Sequence, residues 1–268
     1  MIPSETLLVI PTYRDSSRLA EFLPELCAEL ARGPGGVMVQ VVDDGSSTGE
    51  QMWLTNEIDR LRRQHLFLQP LQIISRNQGK GHAIRAGWSN ARQAGWLAFV
   101  DADGAVPAVE VSALLGRARA SSSPALFIAV RTDLPGKTVI RFWHRRLGSW
   151  LFNRWVRVCL KLDLPDTQCG LKIIPADFFT GVMMQSGGPV SRRAAVRRET
   201  DPPPGQGRLW HEEGFAFDLE LLLRARASGL PIVTQPISWS ERSGSSFGPG
   251  AMLGLFAAVW RLRRGEST

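Results

Sequence analysis

Along the first half of the chain, short apolar runs alternate with amphipathic stretches, and each run stops at a cluster of polar residues and glycines. Thr6–Ile10 stops at Pro11-Thr12-Tyr13, and Val37–Val42 stops at Asp43-Asp44-Gly45-Ser46-Ser47. Leu71–Ile74 opens onto Arg76-Asn77-Gln78-Gly79-Lys80-Gly81, and Trp96–Val100 onto Asp101-Ala102-Asp103-Gly104. Apolar runs this short, bounded by turn residues, read as buried strands. Between the first two, Ser16–Arg32 carries Leu19, Phe22, Leu23, Leu26 and Leu30 at helical spacing, and Gly33-Pro34-Gly35-Gly36 ends it. Further helical patterns run from Gly49 to His65 and from His82 to Ala94. This β-α-β-α order predicts an α/β fold with a mostly parallel central sheet flanked by helices, whose ligands bind beyond the strand C-termini. Every polar cluster named here falls at such an end.

Asp101 and Asp103 give the sharpest chemical signal. Two carboxylates one residue apart at a sheet rim can face one divalent cation, and the small Ala102 between them lets the backbone approach. Hard cations are typically held by one or two carboxylates together with substrate phosphate oxygens. The pattern therefore points to Mg²⁺ or Mn²⁺ and a phosphorylated donor rather than to redox or peptide chemistry. Gly79-Lys80-Gly81, at a predicted helix start, offers backbone N–H groups and a cation to an anion. Its spacing matches neither the Walker A loop nor the dinucleotide fingerprint.

The second half is less regular. Leu126–Val130 reads as a strand ending at Arg131, and Lys137–Leu162 as a long helical region rich in Trp and Arg. Residues 190–209 carry five arginines and three consecutive prolines and read as a mobile loop. Gly214–Ser228 returns to helix, Ile232–Gln235 to strand, and Gly250–Arg264 to a short basic helix. The expected organisation is a catalytic domain over 1–245 and a basic amphipathic C-terminal helix within 246–268. With 32 Lys and Arg against 25 Asp and Glu, the formal charge is +7. Arginine heavily outnumbers lysine, which suits planar recognition of phosphate. A diphosphate substrate, an anionic membrane or a nucleic acid would each satisfy this bias. Three scattered cysteines, odd in number, argue against a disulfide framework, and with no CxxC pair they favour a reducing, cytoplasmic setting. Met1–Glu5 lacks the basic start of a signal peptide, and no run reaches the roughly 18 apolar residues that cross a bilayer.

Taken together, Ile10-Pro11-Thr12-Tyr13, Val42-Asp43-Asp44-Gly45-Ser46, Asn77-Gln78-Gly79-Lys80-Gly81 and Asp101-Ala102-Asp103-Gly104 resemble the family 2 glycosyltransferases of GT-A fold. Asp166-Thr167-Gln168-Cys169-Gly170-Leu171-Lys172 and Phe215-Ala216-Phe217-Asp218-Leu219-Glu220 resemble the branch that glycosylates polyprenyl phosphates, dolichyl-phosphate β-glucosyltransferases in particular. The resemblance implies that Asp43 and Asp44 hold the uracil or ribose of a nucleotide sugar, although Asp-Gly-Ser is also good turn chemistry. It implies a base pocket shaped by Pro11, Thr12 and Tyr13, with Asp15 standing where relatives often carry Glu. Lys80, Gly79 and Arg131 would meet the diphosphate, with structural salt bridging as the competing role for Arg131. Asp101 and Asp103 would ligate the metal. Asp166, Gln168 and Gly170 would line the sugar and acceptor side, and Lys172 would add a phosphate contact. Cys169 reads as packed rather than reactive.

A general base depends on the acceptor. A sugar hydroxyl would need one, and Asp218, Glu220, Glu212 or Glu213 could serve. A lipid monophosphate has a second pKa near about 6 and is largely a dianion at neutral pH, so it needs none. Asp218 and Glu220 would then contact the sugar or cap the site, and two residues apart on a helix they do not share a face.

Within Lys137–Lys161, Arg141, Arg145, Arg146, Arg154 and Arg157 interleave with Phe142, Trp143, Trp150, Phe152 and Trp155. Such interleaving suits single-stranded nucleic acid or a membrane interface. Leu147, Leu151 and Val158 add an apolar face that favours the membrane. Met252–Trp260, followed by Arg261, Arg263 and Arg264, repeats the theme. The expectation is a metal-dependent, inverting enzyme docked peripherally on the inner face of a membrane. It would move a hexose, glucose from UDP-glucose first, to a polyprenyl phosphate. A GDP-mannose-dependent transferase is the nearest alternative, and a basic nucleic-acid-binding module or a nucleotide-sugar binder without turnover are alternatives of another class.

Overall fold

A computed structural model describes residues 5–91, 94–132, 134–140, 143–183, 214–242 and 249–264, with backbone alone at 143–147, 182–183, 249–253 and 264. Side chains along the first strand, β1 (Thr6–Thr12), alternate between two apolar clusters, Leu7 and Val9 in one and Leu8 and Ile10 in the other. That alternation makes the sheet the middle layer of three. One face is covered by α1 (Ser16–Arg32) and, after β2 (Val37–Asp43), by α2 (Thr48–Arg62). The chain then makes β3 (Gln72–Ile73), and α3 (Lys80–Trp88) crosses to the opposite face before β4 (Trp96–Val100). Next come α4 (Ala108–Arg119) and β5 (Leu126–Val130), then β6 (Val139–Ile140) and α5 (Trp143–Leu160). The remainder comprises β7 (Leu171–Pro175), a one-turn α6 (Ala176–Phe178) running into a π-helical turn at Phe179–Met183, α7 (Phe217–Ala227), β8 (Ile232–Pro236), β9 (Trp239–Ser240) and α8 (Pro249–Arg264).

The seven-stranded sheet has the order β3-β2-β1-β4-β7-β5-β8, and β6 and β9 form a separate parallel pair. Every neighbouring pair in the large sheet is parallel except β7, which runs antiparallel to both β4 and β5. The inverted strand brings the turn before it, residues 166–170, to the same edge as the C-terminal ends of β1, β4 and β5. The Asp101 N–H donates to the Gly170 carbonyl at 2.9 Å and locks that juxtaposition.

Several expected boundaries shift. Gly136, at φ +81°, turns the chain back, and β6 pairs with β9, so the helix expected from Lys137 begins at Trp143. The helix expected over His82–Ala94 is α3, which starts at Lys80 and ends at Trp88. Both α4 and β7 form where the sequence reading left no element. The C-terminal helix α8 packs on α5, with the Phe256 ring 5.6 Å from Phe152 and 6.2 Å from Trp155, and Leu255, Ala258, Val259 and Leu262 join the core beneath α3 and α7. The Arg/Pro stretch 190–209, Glu212, Glu213, Arg141 and Phe142 lie outside the described residues.

Candidate active site

The ends of β1, β2, β4 and β5 and the turn before β7 surround a cleft of about 550 Å³. Its floor is a chain of alternating charges. Lys172, the second residue of β7, is 1% exposed and donates to the Cys169 carbonyl (2.8 Å) and to Asp218 on α7. The other oxygen of Asp218 accepts from Lys80 Nζ at 3.1 Å, and Lys80 Nζ also lies 2.8 Å from Asp101 Oδ1. Both ammonium groups sit over the Phe99 ring, at 5.0 and 5.6 Å. Only four lysines occur in the whole chain, and two of them are used here. An ammonium is a compact point charge on a rotatable stem, which a narrow buried slot admits more readily than a planar guanidinium.

The charges set one another's ionisation. Burial alone would raise the Asp218 carboxyl, but Lys172 and Lys80 outweigh it and hold the group below the usual carboxylate value. Burial would lower Lys80, yet Asp101 and Asp218 keep its ammonium above the ordinary range. Asp101 is raised, first by burial and then by the neighbouring acids Asp103 and Asp218, against the opposing pull of Lys80. Asp103 accepts from the Ala105 N–H at 3.0 Å, and its other oxygen lies 3.8 Å from Arg18, which is itself bidentate to Asp15.

Two further clamps hold the walls. Asp44 Oδ1 accepts from the Gln78 N–H (3.0 Å), while Oδ2 accepts from the Gly79 N–H (2.6 Å) and Asn77 Nδ2 (3.0 Å). Asp44 thus fastens the loop that delivers Lys80, and the Gly79 amide expected to face a phosphate is bonded to it. Arg131 makes a bidentate pair with Asp166 at 2.6 and 2.8 Å and lies 5.2 Å from the Trp239 ring centre. Burial would lower the guanidinium's pKa, but Asp166 raises it. Three of its five N–H donors stay uncommitted to Asp166.

Of the residues singled out from sequence, Pro11, Thr12, Tyr13, Asp15, Asp44, Gly79, Lys80, Asp101, Ala102, Asp103, Arg131, Gln168, Gly170 and Asp218 line the cleft. Four do not. Asp43 is fully buried, its Oδ2 taking the Ser46 N–H and Gln51 Nε2 while Oδ1 has no hydrogen-bond partner among the described residues. Asp166 stands behind Arg131. Lys172, expected at a phosphate, lies under Asp218. Glu220 turns away to Arg224 (2.8 Å) and Arg85 (3.9 Å). Sequence reasoning missed Arg18, Trp239 and Glu241, and missed that Ser149, Phe152, Asn153 and Leu255 of α5 and α8 form part of the wall. Cys169 is buried, and loss of solvent pushes its thiol up to about 12, so it is inert.

Asp101 and Asp103 suit a hard divalent cation. Both reach the cleft, both offer carboxylate oxygens, and their mutual repulsion is charge that a cation would offset. Among the described residues no group of three or more His, Cys, Asp or Glu side chains could hold a metal.

Residues 7–179 match the family model described as Glycosyl transferase family 2. The chain belongs to that family. This glycosyltransferase is 27% identical over 252 residues to dolichyl-phosphate beta-glucosyltransferase of Saccharomyces cerevisiae, covering 89% of this chain and 67% of the relative. It is 28% identical over 245 residues to polyprenol monophosphomannose synthase of Mycolicibacterium smegmatis, covering 88% and 78%. Among solved structures, glucosyl-3-phosphoglycerate synthase from Mycobacterium tuberculosis, in complex with Mn²⁺, uridine diphosphate and phosphoglyceric acid, superposes with a TM-score of 0.64 at 13% identity, covering 98% of this chain and 80% of that one. The fold is therefore GT-A.

Proposed function

We propose that this glycosyltransferase moves a hexosyl group, glucose from UDP-glucose in the first instance, onto a polyprenyl phosphate with inversion. The supporting observation is the two-sided cleft. Acids and cations from the strand ends form one wall, and Phe152 and Leu255 from the paired helices α5 and α8 form another. A nucleoside diphosphate suits the first and a lipid carrier the second. The dolichyl-phosphate relatives support the same acceptor class.

In the transfer, an oxygen of the acceptor phosphate attacks the anomeric carbon. The bond from that carbon to the diphosphate breaks, and its electron pair leaves with the nucleoside diphosphate. Lys80 and Arg131 supply positive charge where the diphosphate gains negative charge. Asp101 and Asp103 would hold Mg²⁺ or Mn²⁺, which supplies Lewis-acid stabilisation of the leaving group when bound. Asp218, ionised and shared by two ammonium groups, keeps Lys80 in place and is not a proton acceptor. Trp150, Leu151 and Val158 on α5 and Trp260 on α8 are exposed, and no helix of the described residues is long and apolar enough to cross a membrane. Trp and Arg on such a face suit docking on an anionic bilayer surface.

GDP-mannose as donor is the second reading, favoured by the similarity to polyprenol monophosphomannose synthase. Incubating purified protein with undecaprenyl phosphate, Mg²⁺ and each nucleotide sugar in turn, with the glycolipid read by mass, separates the two. Failure to form a glycolipid from any donor would refute the acceptor class.

A further inference from the structure

The charges on the cleft floor sum to zero: Lys172 and Lys80 balance Asp218 and Asp101. Lys80 is the only member that faces both the buried half of this chain and the exposed half. The Asp101 side chain is 37% accessible and the Asp218 side chain 1%. A divalent cation arriving at Asp101 meets an ammonium already bonded to one of the two carboxylate oxygens. The other oxygen has little freedom, since the Gly170 backbone lies against it: a Cβ built on Gly170 would sit 1.8 Å away. Asp101 therefore cannot simply rotate to present a fresh face.

We propose that Lys80 is a shared counter-ion that holds Asp101 until a donor diphosphate draws its ammonium away, and that it thereby couples metal binding to donor binding. The idea rests on the reading of Asp101 and Asp103 as the metal pair. Three features of the site support it. Lys80 stands on the first turn of α3 among cleft-lining residues, within reach of an anion bound there. Asp218 anchors the ammonium from below, so it can exchange one partner without becoming an unpaired buried charge, which would be strongly unfavourable. The residue is a lysine, whose three donors rotate freely, whereas Arg131 is fixed in a bidentate fork to Asp166 and cannot exchange. Once Lys80 turns to a diphosphate, Asp101 and Asp103 are left as neighbouring anions that have lost the ammonium at 2.8 Å, with Arg18 3.8 Å from Asp103, and a divalent cation is favoured. By linkage the metal must then tighten donor binding by the same factor.

The test is Mn²⁺ titration followed by electron paramagnetic resonance, on wild type and Lys80→Met, without nucleotide and with saturating UDP. Without nucleotide, Lys80→Met should bind Mn²⁺ about tenfold more tightly than wild type, within the usual range of site-to-site coupling. The gain in Mn²⁺ affinity produced by UDP should shrink by a similar factor, leaving only the direct bridge between cation and phosphate. Unchanged Mn²⁺ affinity without UDP, or an undiminished gain with it, overturns the counter-ion role and leaves the metal pair standing. Wild type that takes up no Mn²⁺ with either UDP or GDP overturns both, and GDP replaces UDP throughout if it alone binds. Lys80→Gln, which keeps hydrogen-bond donors without the charge, replaces Lys80→Met if that variant fails to fold, and the same two comparisons decide.

Discussion

Replacing Gly170 by alanine should disable the enzyme while leaving it folded. Gly170 does not occupy the left-handed backbone region, so the obstacle is space. The new Cβ would lie 1.8 Å from Asp101 Oδ2, 2.2 Å from its Cγ and 2.8 Å from its Oδ1. The two backbones cannot separate cheaply, because the Asp101 N–H is bonded to the Gly170 carbonyl and β7 is paired along its length with β4. The side chain must yield, by roughly 1.5 Å or more before it reaches an ordinary contact of about 3.5 Å. That retreat breaks the 2.8 Å contact with Lys80 and carries the carboxylate away from Asp103. An off-rotamer side chain costs about 0.5–1.5 kcal/mol, which lowers the melting temperature of a chain this size by only about 1–6 °C. A displacement of about 1 Å at a reacting centre costs on the order of a hundredfold in rate. Glycolipid formation at subsaturating donor should therefore fall at least about a hundredfold, with near-native thermal unfolding. Turnover within threefold of wild type would show that the position of Asp101 is not what Gly170 protects.

Asp218→Asn leaves two buried ammonium groups without their shared anion, a loss of roughly 3–5 kcal/mol, measurable by urea unfolding; native stability with abolished turnover would instead mark Asp218 as a proton acceptor. Because the folded Asp218 carboxyl lies below its unfolded value of 3.8, its contribution is present above that pH and is lost as pH falls through the folded value. Wild type should therefore lose more stability than Asp218→Asn between about pH 5 and about pH 2. Trp150→Ser combined with Trp260→Ser, at side chains whose residues are 59% and 41% exposed, should weaken sedimentation with anionic vesicles at least about tenfold, from apolar area at about 25 cal/mol per Å². UDP affinity should not change, and undiminished vesicle binding would remove those helices as a docking face.

The sheet's parallel half was legible because each of its strands is a short apolar run between turn residues, with the functional cluster directly behind it. The antiparallel strand was not. Leu171–Pro175 has a lysine at its second position, and nothing local reveals that its charge is neutralised by Asp218, 46 residues away. Helix α4 was missed for a related reason: Glu110, a carboxylate in its first turn, is buried against Lys137 and the Ser238 N–H, so it interrupts the apolar pattern it belongs to. The cleft residues behind β1, β2, β4 and β5 were legible from strand-end position, whereas those that α5, α8 and the end of β9 contribute were not. The division of labour within the cleft was not legible either, since Asp44 with the 77–79 loop and Arg131 with Asp166 are pairings across more than thirty residues of chain. A sequence displays which groups arrive at an edge; which of them are consumed by one another is decided by packing.

That distinction bears directly on the acceptor. Four carboxylates were candidates for a general base. Glu220 is committed to Arg224 one turn along α7 and to Arg85 on α3, and Asp218 is clamped between two ammonium groups that hold it ionised, while Glu212 and Glu213 lie outside the described residues. To accept a proton, Asp218 would have to surrender its charge while two cations remain in contact with it in a site nearly closed to water, the arrangement least favourable to protonation. A hydroxyl nucleophile needs such a proton acceptor within hydrogen-bond reach. A phosphate monoester arrives already ionised and needs instead to be placed and to have the opposing charge on the leaving group stabilised. Lys80 and Arg131 beside the cleft, with an apolar wall from α5 and α8, meet those two requirements, so the site favours an acceptor that brings its own negative charge.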